Sequence, residues 1–587
     1  MPDLSQTSPA AFPLQGGLVL NRSTFAMQPG EALELINFEP DINGGYRRIN
    51  GFAKYNTNVV PQTSASTEEV LLSCIFNDKI VAARGEKIFT ASAGSGSWTE
   101  IDSGRTSAGV YTFERFNFDG TDKLIVADGA NAPTVFNTSF ADTDVAPSST
   151  GTGEATALLA AIASGTGMTG SGTVTVKDTS QFGSSGSFII NNETFTYTGK
   201  TATTFTGVTR ATSSSTAVDH AIGDIVADLF PPAVSGAKFV TAFKDHMFYA
   251  GMSSAPQEIV FSSPFNEDDF SAALGGGSIK VDDTVVGLKV FRQDLFIFCE
   301  NRIFKLSGST SLDFTMTPVT RNIGCVNGQT IQEFAGDLIF LAPDGLRTVA
   351  GTARIGDVEL GTISSPVQSV FNSNIASSGG FRSLVIPNKT QYRVFFTKSG
   401  IAQSTTEGVI TSLRGQAFEF AQIKGIRPTS TDTVSTATET IVIHGGEGGY
   451  VYRQETGNDF DGTAINGKYR SPDLSFGDVG IRKHMHRVIV SYKPEAAISA
   501  DMFLRYDYED PTSPRPAAYS LSADNVVAIY GSSVYNTATY GGQSEPLLRQ
   551  SVEGSGFTVA LRVDDNGTTA PYALRGFQME YQTGARR

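Results

Sequence analysis

The stretch VGLKVFRQDLFIFCENRIFKLSG (286–308) runs strand, tight polar turn, strand, turn, strand. Val, Ile, Leu and Phe fill the strands while Arg, Gln, Glu and Asn fill the turns, the composition of a short antiparallel meander. The same unit recurs in both directions. Upstream stand KIVAARGEKIFTAS (79–92), KLIVADGANAPTVF (123–136) and KFVTAFKDHMFYAG (238–251). Downstream stand TIQEFAGDLIFLAPDGLRTVA (330–350), SLVIPNKTQYRVFFT (383–397) and TIVIHGGEGGYVYRQ (440–454). Phe243, Phe248, Phe291, Phe296 and Phe298 follow the alternation of half-buried strands. Leaving out the gap from 123 to 238, successive units begin 44 to 57 residues apart. A period of roughly 40–50 residues with several strands per unit is that of a β-propeller blade. The predicted fold class is all-β, a β-propeller-like domain, with a set of unrelated β-sandwiches as the competing architecture.

The gap has a composition of its own. Residues 152–228 open on a short Ala-rich segment and continue as TVTVKD, GSFIINNETFTYTGK and TTFTGVTR between Gly/Ser turns. They predict a small β-module inserted between blades, because exposed turns tolerate whole-domain insertion. Beyond about residue 460 the unit fades, and longer alternating strands such as HRVIVSY and ADMFLRYDY predict a C-terminal β-sandwich. The expected organisation is an N-terminal β segment for assembly or docking (1–60), the first part of the propeller (61–151) and the inserted module (152–228). The rest of the propeller (229–462) and a C-terminal sandwich or platform (463–587) follow. Helix-compatible patterns are confined to TALLAAIAS (156–164), SPVQSVFNSNIA (365–376) and ALELINF (32–38).

Of 587 residues 44 are basic and 59 acidic, a formal net charge of −15. Bulk nucleic acid and anionic membrane repel such a chain, which argues against a sequence-reading DNA binder. Cys74, Cys299 and Cys325 are odd in number and far apart, so neither a disulfide framework nor a zinc ribbon is expected. No run approaches the roughly 18 apolar residues of a membrane-spanning helix. The opening MPDLSQTSPAAFPLQ has neither the basic start nor the apolar stretch of a signal peptide. The expectation is a soluble chain made in a reducing compartment.

Enzyme chemistry finds little purchase. None of His220, His246, His444, His484 and His486 lies beside a G-x-S-x-G elbow, so no catalytic residue is assigned. Glycoside hydrolysis needs only two carboxylates, so a propeller-type carbohydrate-active enzyme stays open as an alternative without a nominated pair. His484 and His486 share a strand face without a matching third ligand, and Asn458–Gly462 starts like a calcium loop but lacks its closing Glu. Gly275–Gly277 is followed by no G-K-[ST]. No metal and no cofactor is expected.

The opening PLQGGLVLNRSTFAMQPGEALELINFEPDINGGYRRINGFAKY (13–55) carries Gly16-Gly17, Pro29-Gly30, Asn37, Gly44-Gly45-Tyr46-Arg47-Arg48 and Gly51. Together with HMFYAG (246–251), IVFSSPFNEDDF (259–270), LIFLAPDGLRTV (338–349) and LSFGDVGIRKHMHRVIVSY (474–492), it resembles the tail nozzle, or tail tubular protein B, family of short-tailed bacteriophages. The resemblance implies a structural protein of the virion, not an enzyme: a hexameric ring closing the distal end of the tail tube around a DNA channel gated until ejection. It implies an adaptor ring and tail fibres or receptor-binding proteins as partners, transient non-specific passage of phage DNA, and assembly in the host cytoplasm without membrane insertion. Arg47, Arg48, Arg586 and Arg587 are candidates for assembly or docking, since complementary charge sets register between subunits. Glu267, Asp268, Asp269, Asp282 and Asp283 are candidates for an acidic channel wall, or else solvated turn residues. The competing class is a receptor- or glycan-binding adhesin.

Overall fold

In the computed structural model, residues 7–586 are described except 63–68, 108, 146–154, 181, 192, 213–214, 229–233, 271–273, 350–361, 377–379, 398–401, 416, 437, 496–497, 511, 513–514 and 524–546. The described strands form a six-bladed propeller arrangement, an inserted sheet and two large sheets. The first blade is Val70–Phe76, Lys79–Arg84, Lys87–Ala91 and Thr99–Ser103. The second is Thr112–Phe116, Lys123–Ala127, Thr134–Phe136 and Asp142–Asp144. The third and fourth begin at Phe239–Phe243 and Val285–Phe291, each with four antiparallel strands. The fifth has three strands, from Gln332–Phe334 to Gly345–Thr348. The sixth comprises Ser430–Ser435, Thr440–Gly445 and Val451–Gln454, and its fourth strand is Phe52–Lys54, from before the first blade.

The second strand of each blade is apolar on both faces, which explains its near-continuous hydrophobic run. In Asp294–Cys299, Leu295, Ile297 and Cys299 enter the core shared with the third blade, while Phe296 and Phe298 enter the core shared with the fifth. In Lys79–Arg84, Val81 and Ala83 pack towards the second blade, and Ile80 and Ala82 towards the sixth. The half-buried alternation expected of the phenylalanines is therefore corrected. Successive residues still point to opposite faces, but each face is covered by a neighbouring blade. Cys74, Cys299 and Cys325 are buried in these layers as free thiols.

Between the fifth and sixth blades the chain makes a meander, Phe381–Ile386, Gln391–Phe396, Glu407–Arg414 and Ala417–Lys424. These strands begin a nine-stranded sheet that continues through Glu34–Ile36, Gly467–Arg470, Val559–Asp565, Ile498–Tyr506 and Tyr519–Ala523. A seven-stranded sheet is built on Ile481–Pro494 and Tyr572–Arg586, with Ser8–Pro13, Phe38–Pro40, Tyr46–Arg48, Leu547–Ser551 and Ser555–Gly556. Both large sheets contribute to one core containing Phe38, Val488, Leu504, Leu561 and Phe577. The first 60 residues and the last 125 thus interleave, where the sequence pattern placed a terminal segment and a separate sandwich. Pairing partners far apart in sequence leave no trace in local alternation.

Two helix-compatible patterns are not helical. In 32–38, Asn37 stands at φ 54° between Glu34–Ile36 and Phe38–Pro40, a left-handed turn no helix accommodates. The Ala-rich 156–164 is too short to nucleate a helix alone, and Ala155–Ala157 pairs instead with Ile225–Asp228. Gln368–Ile375 is an α-helix, packing Val370 and Phe371 into the main core.

The insertion closes on itself. Ala155 pairs with Ala227, and Phe188, Phe195, Tyr197, Phe205 and Val208 fill a core that no blade enters. Beneath it the buried Glu193 takes Arg210 through two bonds of 2.7 and 2.8 Å and His220 Nε2 at 2.9 Å. Burial raises the Glu193 carboxyl, but Arg210, the Val218 amide and His220 outweigh that and hold it down at about 2. Its first and last strands are neighbours, one strand spacing of about 4.8 Å apart. Replacing 155–228 with a short Gly/Ser linker is expected to leave a soluble, cooperatively unfolding protein with its β circular-dichroism signal. Loss of that transition would show that the ring needs the module.

Candidate functional site

Of the residues that carry the sequence resemblance, those of the opening stretch 13–55 come together where the chain's beginning meets its end. Gly45 passes so close to the Leu574 carbonyl that a Cβ would sit 2.0 Å from its oxygen, and Gly51 passes equally close to Asp459, at 1.8 Å. Any side chain at either position would force the strands apart. Tyr46 is buried between them, its hydroxyl accepting from the Gly17 amide at 3.0 Å and donating to the Gly30 carbonyl at 2.7 Å.

Arg48 is fully buried against the equally buried Asp565, Nε to Oδ2 3.3 Å. Its remaining donors go to the carbonyls of Thr569 (2.6 Å), Gly567 and Asn458. Arg47 grips Glu495 through two bonds of 2.7 and 2.9 Å and also meets Glu39 at 3.1 Å and Asn50 at 2.8 Å. Glu39 in turn accepts from Lys389 at 2.6 Å and from the buried Arg393 at 2.9 Å. Both cations also bond Glu455, Arg393 at 2.8 Å. Three cations thus face three carboxylates across four separate chain segments. Burial would raise the Glu455 carboxyl, yet Lys389, Arg393 and Arg47 hold it down at about 2.

Arg47 and Arg48, expected to meet a neighbouring subunit, are therefore engaged inside their own chain. Arg48 is sealed from any partner, because an unpaired buried guanidinium would be far costlier than this internal pair. Arg586 lies in the last strand, opposite Ile481, and Arg587 lies outside the described residues. Sequence reasoning passed over Glu39, Lys389, Arg393 and Glu455. The signal was present at Arg393, a charge just before the apolar run VFF in the strand QYRVFF, where burial demands a counter-charge.

The acidic candidates occupy turns of the third and fourth blades. Glu267 is buried and takes Lys123 Nζ at 2.8 Å, and burial together with Glu267 pushes the Asp268 carboxyl up to about 6. The Asp269 carbonyl accepts from the Ser263 amide. Asp282 pairs with Arg302, and Asp283 accepts from the Thr284 and Asn301 amides. None of the five lines the cavity on the propeller axis. His484 and His486 stand exposed on one strand, and among the described residues no three His, Cys, Asp or Glu groups converge as a metal site.

That axial cavity has a volume of about 410 Å³ and is lined by the inner segments of all six blades and by the meander. Its charged lining is Glu114, Arg115, Lys289, Arg382 and Asp432. It has the dimensions of a small-molecule site, roughly 300–1,000 Å³, not of a passage for duplex DNA.

No protein-family model matches the sequence, and no curated protein matches it. Among solved structures the chain is similar to Raptor of Chaetomium thermophilum, at 9% identity and TM-score 0.33, over 73% of this chain and 29% of that one. It is similar to the Pan2 WD40 domain of Neurospora crassa, at 7% identity and TM-score 0.31, over 69% and 96%. It is also similar to Hsv2 of Kluyveromyces lactis, at 7% identity and TM-score 0.25, over 61% and 100%. The chain spans under a third of the length of Raptor. The likeness is to the propeller fold and to nothing finer.

Glu455→Gln should destabilise the seam by about 3 kcal/mol at neutral pH, the usual cost of breaking a buried pair. Because the folded carboxyl is depressed, its contribution is complete above the unfolded value near 4.3 and fades as pH falls towards about 2. Thermal unfolding of both proteins across that range should show the gap closing below about pH 4. A gap constant with pH would show that the Glu455 charge is not what the seam uses.

Proposed function

We propose that this chain is a structural protein of a bacteriophage virion, forming the distal tail tube, or nozzle, as a ring of about six copies. The observation that carries the reading is the resemblance over 13–55 to the tail nozzle family. Its support is that in that stretch Gly17, Gly30, Gly45 and Gly51 leave no room for a Cβ and Tyr46 and Arg48 are fully buried.

The architecture suits a mechanical part. Ser8–Pro13 and Tyr46–Arg48 both pair with Tyr572–Arg586, so a load applied at either end is carried along ladders of hydrogen bonds into one shared core. One edge of the seven-stranded sheet, the Ser8–Pro13 side, is guarded. The Leu14 amide donates to Arg575, so the register turns the Ser8, Ala10 and Phe12 amides inward. Pro9, Ala11 and Pro13 remain on the outer side, where two of three offer no N–H. That edge resists strand addition, and subunits in the proposed ring meet through loops and faces.

DNA would run along an axis shared by the copies, since the propeller's own cavity is too small. A net charge of −15 keeps phosphate from adhering to the walls during ejection. The insertion at 152–228, whose first and last described strands pair with each other, is the element on which fibres or an adaptor ring would dock.

Immunogold electron microscopy of intact virions, with antibody against this chain, tests the reading. Label at the distal end of the tail tube, with about six copies per particle by quantitative mass spectrometry, is the expected result. Label confined to fibre tips would instead identify an adhesin, and absence of the chain from purified virions would end the structural reading.

A further inference from the structure

We propose that the propeller axis is a binding site for a small oxyanion, a carboxylate, sulfate or phosphate group, held between Lys289 and Arg382. The inference does not depend on the tail assignment.

Of the five charged groups that line the axis, three are cations and two are carboxylates. Arg115 is spent on Asp432, with its Nε donating to the Ile75 carbonyl at 2.8 Å. Lys289, Arg382 and Glu114 remain. Arg382 is held by two carbonyls, Nε to Thr429 at 2.6 Å and Nη1 to Phe381 at 2.8 Å. Those bonds fix its direction without neutralising it. Among the described residues neither Arg382 nor Lys289 has a carboxylate within ion-pair distance, although the chain carries 59 acidic residues against 44 basic ones. By contrast, Arg393 and Arg48 in the seam each have a carboxylate. Burial, helped by the neighbouring Arg427 charge, draws the Arg382 guanidinium down to about 10 against the pull of Glu69. An anion entering the cavity would supply that charge, and a guanidinium offers the planar fork that oxyanions prefer.

Glu114 sets the conditions. Burial pushes its carboxyl up to about 7 against the attraction of Lys289 and Arg115. The charged groups lining the cavity around it are Lys289 on the fourth blade, Arg382 on the meander, Arg115 on its own strand and Asp432 on the sixth blade. Below neutral pH the carboxyl is protonated and can donate to the anion; above, its charge opposes binding. Affinity should therefore fall as pH rises from about 6 to about 8.

The test uses the full chain with sulfate and succinate, and chloride at matched ionic strength. Thermal unfolding and titration calorimetry should show saturable stabilisation by the oxyanions and none by chloride. Lys289→Met, which removes a group with no bonded partner among the described residues, should weaken binding about tenfold or more, as should Arg382→Gln. Glu114→Gln should bind with little pH dependence. Arg302→Gln, which removes a cation paired to Asp282 on an outer turn, should bind as the parent does. Equal stabilisation by chloride, or undiminished binding in folded Lys289→Met, would overturn the proposal.

Discussion

Everything else in the molecule waits on the strand Phe52–Lys54. The sixth blade begins at Ser430 and has three strands of its own, so its outer edge is completed only when residues from before the first blade lie along Tyr452–Gln454. Phe52 then stacks on Phe460 at 5.1 Å and meets Tyr452 and His444 edge-on. A propeller closed in this way has joined the two ends of its ring non-covalently. The cost is loop closure over about 400 residues, which grows only logarithmically with length and is offset by one blade's worth of pairing and packing.

That closure places the flanking residues. Once 52–54 are fixed, Arg47 and Arg48 fall against the last strands and Glu39 falls beneath Arg393. A buried network of charges is a poor source of stability compared with hydrocarbon, but it tolerates only one register. A slip by one residue would leave several charges unpaired out of water. The seam therefore works as a check on assembly of the two large sheets, while Phe38, Leu561 and Phe577 supply the cohesion.

Polar residues near the ring axis have the complementary origin. The faces of each blade are covered by its neighbours, but inner strands such as Thr112–Phe116 and Ser430–Ser435 border the central cavity. Those strands carry Glu114, Arg115 and Asp432, and they are the ones missed when hairpin units are recognised by apolar runs. Units read from apolar runs at 123 and 440 are entered one strand late for this reason. The functional reading of the chain rests on the seam and its resemblance, and the chemistry of the cavity is separate from it.

Apolar runs of four to eight residues punctuated by polar turns were enough to pick out the blades, with the meander unit at 383–397 counted among them, and an inserted module with its own composition. Those properties are written locally, because a hairpin pairs residues only a few positions apart. The pairing of 8–13 with 576–581, of 34–36 with 468–470 and of 52–54 with 452–454 is not local. Nothing in either partner's sequence names the other. For the same reason the doubled glycines and the Arg47-Arg48 pair could be seen but not understood as the floor of an internal seam. Glu39, Arg393 and Glu455 became one group, and Lys289 and Arg382 another, only because ring closure brings distant segments within ion-pair distance or around a common cavity.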